Sequence, residues 1–330
     1  MKPIPNRRQA LVLGAGMAST LALLPLRSIA QSQWPAKPIK VINPWPPGGP
    51  ADTIARPVIE KVSQILGQQL VMESRSGANG MIGTELVAKA APDGYTLLLS
   101  HAGPTAISPA LRKTMPYRTL DDFQHITMVA APTIVLVIRP DAPYQDLKGL
   151  VAWGKANPGK LTYGSVGPGS TTHLGGVMLD MMAGIQSVHV PYKGAAPVVT
   201  DLLGGRLDFA FLGNAAVAGH VKAGKLRLIA TASPHRAAVA RDTPTVAELL
   251  PGFQVVSWYG LAAPAGTPAP IVDQIYRAFA AALKDPEVRS KLEQTGSDPG
   301  GMTPKEFTEI IKVDMARWER AVSAAGLARE

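Results

Sequence analysis

A chain of 330 residues is long enough for two domains of ordinary size. At 46% hydrophobic and 17% charged residues it has the composition of a globular protein with a large core, which excludes a disordered chain. The formal charge of +9 falls to +5 when Lys2, Arg7, Arg8 and Arg27 are set aside, and the remaining bases form no stripe interleaved with aromatics, so nucleic acid is not an expected partner. Cysteine is absent, which excludes disulfides, thiolate metal sites and a lipid-anchored cysteine.

The N-terminus reads as an export signal. Lys2, Arg7 and Arg8 form a basic start, residues 10–26 are apolar, and Ser28-Ile29-Ala30 supplies small residues for cleavage near Ala30. The Arg7-Arg8 pair leaves the twin-arginine route open beside the general one. No later stretch reaches the roughly 18 apolar residues of a membrane helix, so the mature chain is expected to be soluble.

Downstream, short β-like runs alternate with amphipathic helical patterns. Strands are predicted over 39–42, 70–73, 96–100, 134–138, 161–164, 188–190, 209–211, 228–231 and 255–258. Helical spacing falls over 54–66, 82–89, 147–156, 173–182, 198–203 and 215–222. This order predicts an α/β fold of mainly parallel sheets flanked by helices. Three helical patterns follow at 271–283, 287–292 and 305–325. Thr245 with Glu248, and Thr303 with Glu306, have the spacing of capping boxes. If the runs 134–138 and 255–258 both cross between lobes, lobe 1 holds 31–132 plus 254–330 and lobe 2 holds 133–253. Two lobes joined by two crossing strands make a clamp that closes on a ligand by hinge motion.

Two strand-to-helix loops are candidate binding elements. In NPWPPGGPAD (43–52) the prolines stiffen the turn, while Gly48 and Gly49 free the backbone. Asp52 is expected to cap a helix that begins near Thr53. The amides of Gly48, Gly49, Ala51 and Asp52 would then form an anion site without a Lys or Arg. The second loop, YGSVGPGSTTHL (163–174), offers Gly164, Gly167 and Gly169 with the hydroxyls of Ser165, Ser170, Thr171 and Thr172. Both loops read as neutral and rich in amides, at the strand ends where open α/β sheets bind ligands.

Other motifs are weaker. Gly-Lys-Ser/Thr, GxGxxG, GxSxG and HExxH are all absent, so phosphate-loop, dinucleotide, hydrolase-elbow and metal sites are not expected. A nucleophile pair of Ser165 with His173 is the alternative enzymatic reading, and it has no evident orienting acid. His101, ending a strand, is expected to be a donor in the cleft wall.

With its landmarks in order, the mature chain resembles the periplasmic substrate-binding receptors of tripartite tricarboxylate transporters, the Bug-type receptors. The landmarks are WPAKPI (34–39), the PPGG loop with Asp52 and Arg56, and GANGMIG (77–83). They continue with PDGYT (92–96), NPGKL (157–161), the 165–174 loop, VPYKG (190–194), DLLGG (201–205) and PAGTP (264–268). The resemblance implies a two-lobed Venus flytrap that captures a small organic carboxylate and presents it to membrane permease subunits, with no catalysis and no cofactor. It implies ligand contacts from loops matching Pro47 to Asp52 and Ser165 to Thr171. Trp45, Trp258, His101 and Asn214 are candidate walls, with Lys193 a candidate for a second carboxylate. A monomer is expected. An orphan sensor that signals to a partner instead of a permease is the second non-enzymatic reading.

Overall fold

The structure, a computed structural model, describes residues 34–324. The expected export signal over 1–30, with its cleavage point, lies outside the described residues. From Lys37 onward the chain forms one compact unit. Among the described residues no helix is long and apolar enough to cross a membrane.

The first sheet contains β1 (Ile39–Asn43), β2 (Leu70–Ser74), β3 (Thr96–His101), β4 (Phe123–Pro132), β10 (Tyr259–Pro264) and β11 (Ser297–Pro299), in the order β11-β4-β10-β3-β1-β2. The second contains β5 (Ile134–Ile138), β6 (Leu161–Ser165), β7 (Ser187–Pro191), β8 (Phe209–Gly213) and β9 (Arg227–Thr231), in the order β7-β6-β8-β5-β9. Helices flank both sheets, giving a two-lobed α/β fold.

The sheets are mixed, which corrects the expectation of mainly parallel ones. β1 is parallel to β2 and β3, and β6 is parallel to β7 and β8, because helices carry the chain back between them. β4 instead passes into β5 through Thr133 with no return helix. β5 then runs antiparallel to β8 and β9, and β10 runs antiparallel to β3 and β4. A second correction concerns 255–258, which forms no strand; pairing begins at Tyr259. This stretch is irregular backbone, its Val255 amide donating to the Ala232 carbonyl at 2.9 Å and its Trp258 carbonyl accepting from the Ala102 amide at 3.3 Å.

Burial follows the sequence pattern. All five residues of β5 are buried, as expected for a central strand covered on both faces. Each such aliphatic side chain contributes about 1.5–3 kcal/mol relative to exposure. Both expected capping boxes form: Thr245 accepts from the Glu248 amide at 3.2 Å, and Thr303 accepts from the Glu306 amide at 3.3 Å. In each, the glutamate accepts in return from the threonine amide.

Two helices position the loops. Pro50–Leu66 follows β1, buries Ile54, Ala55, Val58, Ile59 and Val62 on one face, and stops at Gly67. Thr171–Ala183 follows β6 and lies close against the second sheet. A Cβ on Gly176 would collide with the Tyr163 ring, and one on Gly175 would meet Phe211 at 2.9 Å. These glycines let the helix pack tightly, which places its N-terminus at the end of β6.

Candidate functional site

At the end of β1, Asn43 is fully buried and organises the loop. Its Nδ2 donates to Asp52 Oδ1 at 3.0 Å, and its Oδ1 accepts from the Trp45 amide at 3.0 Å. The other Asp52 oxygen accepts from the Gly48 amide at 2.7 Å and from Arg56 Nη2 at 3.2 Å. The carboxylate is only 4% exposed, so these charge-assisted bonds fix the loop's shape. Gly48 adopts φ 78°, a conformation that glycine takes without strain.

This arrangement changes the expected roles. The helix begins at Pro50 with Gly49 at the capping position, so Asp52 lies within its first turn and does not cap it. Asp52 also gives the loop a fixed charge, balanced by Arg56 and by the positive end of the helix dipole. The Gly48 amide is committed to Asp52, and the Asp52 amide donates to the Gly49 carbonyl at 3.0 Å. Among the described residues the amides of Gly49 and Ala51 make no well-aligned hydrogen bond, although Pro46–Gly49 form a turn, and both lie at the N-terminus of the helix. Pro47 is exposed on the rim.

The loop after β6 is bound just as tightly to itself. Ser165 is fully buried; its Oγ lies 2.7 Å from His189 Nε2 and accepts from the Gly167 amide at 3.1 Å. Ser170 caps the helix, accepting from the His173 amide at 3.2 Å and donating to the Gly167 carbonyl at 2.6 Å. The Gly169 amide donates to His173 Nδ1 at 3.3 Å. Thr172 Oγ1 accepts from the Val166 amide at 3.0 Å. The hydroxyls of Ser165 and Ser170 and the amides of Gly167 and Gly169 therefore build the loop, where the sequence suggested ligand donors. Thr171 differs: its Oγ1 is buried without a partner among the described residues, at the first position of the helix.

The pairing of Ser165 with His173 does not form. β7 pairs with β6 in parallel register, Tyr163 opposite His189, and this brings His189 to the serine. The His173 and His189 rings lie 4.1 Å apart, and burial lowers the pKa of both, His189 to about 4. Ser165 is buried and His189 half-buried, and no carboxylate is bonded to either ring among the described residues.

The wall candidates separate. Trp45 is half-buried, meets the His101 ring edge-on at 5.1 Å, and keeps its indole N–H without an acceptor among the described residues. His101 accepts from the Gly103 amide at Nδ1 (3.0 Å), so its proton sits on Nε2 and is donated to Ser257 Oγ at 3.1 Å. Burial lowers its pKa to about 3, which keeps the ring neutral. Its one N–H is thus committed to Ser257, contrary to the expected donor role. Trp258 is no wall: it is fully buried, packs edge-on against Phe307 and donates to Asp314 Oδ2 at 2.6 Å. Asn214 starts the Asn214–Lys222 helix, donates its amide to the Thr133 carbonyl at 2.9 Å, and lies beside Gly296 at the crossing between sheets. Lys193 is exposed beyond β7.

Asn43, His189 and Thr172 were missed as organisers, and so was Asn79. Asn79 Nδ2 donates to the Gly169 carbonyl at 3.1 Å, although 90 residues separate them. Its turn also touches the first loop: a Cβ on Gly80 would lie 3.4 Å from Pro44 Cβ. Glycines flanking a single Asn were the available signal, since Asn tolerates left-handed backbone. Among the described residues no group of three or more His, Asp or Glu side chains is placed to hold a metal ion.

Comparison with known proteins agrees with this architecture. Residues 54–327 match the family described as the tripartite tricarboxylate transporter family receptor. The protein BugT of Bordetella pertussis is 35% identical over 300 residues, covering 90% of this chain and 92% of BugT. A solved structure described as a periplasmic transporter is 41% identical with a TM-score of 0.83, covering 90% of this chain and 100% of that one. R. palustris Rpa4515, solved with adipate, is 32% identical with a TM-score of 0.83, covering 89% of this chain and 99% of that one. On its sequence and its fold alike, the chain belongs to the tripartite tricarboxylate transporter receptor family.

Proposed function

We propose that this protein is a periplasmic solute receptor that closes two lobes on a small organic carboxylate and hands it to the permease of a tripartite tricarboxylate-type transporter. It performs no chemistry on the ligand. Lobe 1 comprises 31–132 plus 254–330 and lobe 2 comprises 133–253, after removal of residues 1–30. One observation carries the reading. Each sheet ends a parallel strand in a helix N-terminus with donors left over: the amides of Gly49 and Ala51 on one side, and the Thr171 hydroxyl on the other. Two helix N-termini with unsatisfied donors favour an anion, since dipole and N–H groups act together. Adipate bound to the R. palustris relative supports the same ligand class. Trp45 forms the apolar wall, and specificity beyond the carboxylate lies with it and with residues near the crossing such as Asn214.

A thermal-shift panel of mono-, di- and tricarboxylates, adipate included, tests this reading. Ligand at about 100 times Kd stabilises by about 2.7 kcal/mol. Thr171→Val removes the unpartnered hydroxyl at constant shape, so the variant should melt at or slightly above the wild type. Its affinity for the responding acid should fall about tenfold, the value of one charge-assisted hydrogen bond. Wild-type affinity in Thr171→Val, or a panel in which no acid shifts the melt, would overturn the assignment.

A further inference from the structure

The turn over Ala78–Gly80 has two successive non-glycine residues in the left-handed region, Ala78 at φ 46° and Asn79 at φ 53°. Side chains rarely adopt this conformation, and it persists where the surroundings impose it. The surroundings here are specific. The Gly80 amide closes the turn on the Gly77 carbonyl at 2.9 Å. A Cβ on Gly80 would touch Pro104 at 3.2 Å and Pro44 at 3.4 Å, so the turn is wedged between the ends of β3 and β1. From that support the Asn79 amide reaches the Gly169 carbonyl at 3.1 Å.

The receiving peptide is held equally firmly. The receiving peptide joins Gly169 to Ser170, and its N–H, on Ser170, donates to the Gly167 carbonyl at 3.3 Å, while the peptide before it is held by the Gly169 amide donating to His173 Nδ1. Gly169 has φ 72°, and a Cβ there would meet Leu111 at 3.1 Å and Asn79 Nδ2 at 3.4 Å. Only glycine permits this approach without a shift of those neighbours. Every other side-chain hydrogen bond of the 165–173 loop stays within the second sheet's own elements, among the described residues.

We propose that Asn79 is a positioning residue that latches the two lobes together, so that a closed form of the receptor is populated before ligand arrives. The inference rests on the two-lobed receptor reading and adds to it a ligand-independent term in closure. A single neutral hydrogen bond shifts the open–closed equilibrium about fivefold. That bias lowers the apparent Kd by raising the competent fraction, and leaves the ligand's contacts to complete closure.

The chain contains no cysteine, so Lys113→Cys, exposed between the Ser108–Leu111 helix and β4, and Lys155→Cys, exposed on the Leu147–Ala156 helix after β5, accept spin labels cleanly. Double electron–electron resonance on the ligand-free protein then reads the distance between lobes. The wild type should show a short-distance population. Asn79→Asp keeps size and backbone preference but sets an acceptor against the Gly169 carbonyl. Asn79→Gly takes the left-handed backbone freely and removes the amide. Both should lower the ratio of short- to long-distance populations about fivefold while keeping the wild-type melting profile. A residue needed only to form the turn would leave Asn79→Gly unchanged, so an unchanged distribution in either variant overturns the proposal. A wild type with no short-distance population also overturns it. Failure of the receptor reading appears separately, as distances in all three proteins that no carboxylate in the panel alters.

Discussion

Replacing Asp52 with alanine probes the loop after β1 most directly. The carboxylate accepts from three donors in different surroundings. Asn43 Nδ2 belongs to a residue with 0% exposure, so losing its acceptor leaves a buried donor unsatisfied, at about 1–3 kcal/mol. The Gly48 amide sits on an exposed turn, where water replaces the bond, and its loss costs about 0.5–1 kcal/mol. The Arg56 side chain is 62% exposed, so its ion pair contributes less than about 1 kcal/mol. Together Asp52→Ala should destabilise by about 2–4 kcal/mol, while Arg56→Ala should cost less than about 1 kcal/mol. Urea unfolding at pH 7 followed by far-UV circular dichroism measures both. Because the lost bonds define the 44–49 backbone, carboxylate binding should weaken in Asp52→Ala even where the protein remains folded. Equal stabilities for the two variants, or an Asp52→Ala within 0.5 kcal/mol of wild type, roughly the noise of such measurements, would refute the reasoning that the buried donor dominates.

Two further outcomes follow from the interior. Burial holds His101, His125 and His189 neutral, with pKa lowered from 6.5 to about 3, about 4 and about 4. The unfolded chain therefore binds more protons between about pH 6.5 and 4. Their contribution should be complete above about pH 6.5 and lost as pH falls towards 4, with His125 alone, 6% exposed, linked to on the order of 3 kcal/mol. Urea midpoints that stay flat from pH 7 to pH 4.5 would contradict this. Gly176→Ala should destabilise by about 1–3 kcal/mol, because its Cβ collides with the Tyr163 ring. Gly219→Ala, on an exposed helix with nothing near its Cβ, should stabilise by about 0.5–1 kcal/mol. Differential scanning calorimetry of the pair reads both signs, and a shift of the same sign in both would show that the packing argument fails.

Local signals in the sequence determined a good deal. The run 134–138 is apolar at every position and became a strand buried on both faces. Threonine and glutamate three residues apart became capping boxes at Thr245 and Thr303, since both bonds lie within one turn. The proline–glycine loop after residue 43 and the glycine–serine loop after residue 165 each became a strand-to-helix turn, because glycine and proline act on their own backbone. Tertiary structure alone decided the rest. Strand direction in β10 depends on where the chain re-enters the sheet, which no local pattern encodes. Which donors remain free depends on partners brought from elsewhere: Asn43 and Asp52 across 9 residues, Ser165 and His189 across 24, and Asn79 and Gly169 across 90. A sequence displays every amide and hydroxyl as available. Only the packed chain shows that Gly48, Gly167, Gly169, Ser165 and Ser170 are already bonded, leaving Gly49, Ala51 and Thr171 with donors to offer, because hydrogen-bond partners are assigned by distance in space.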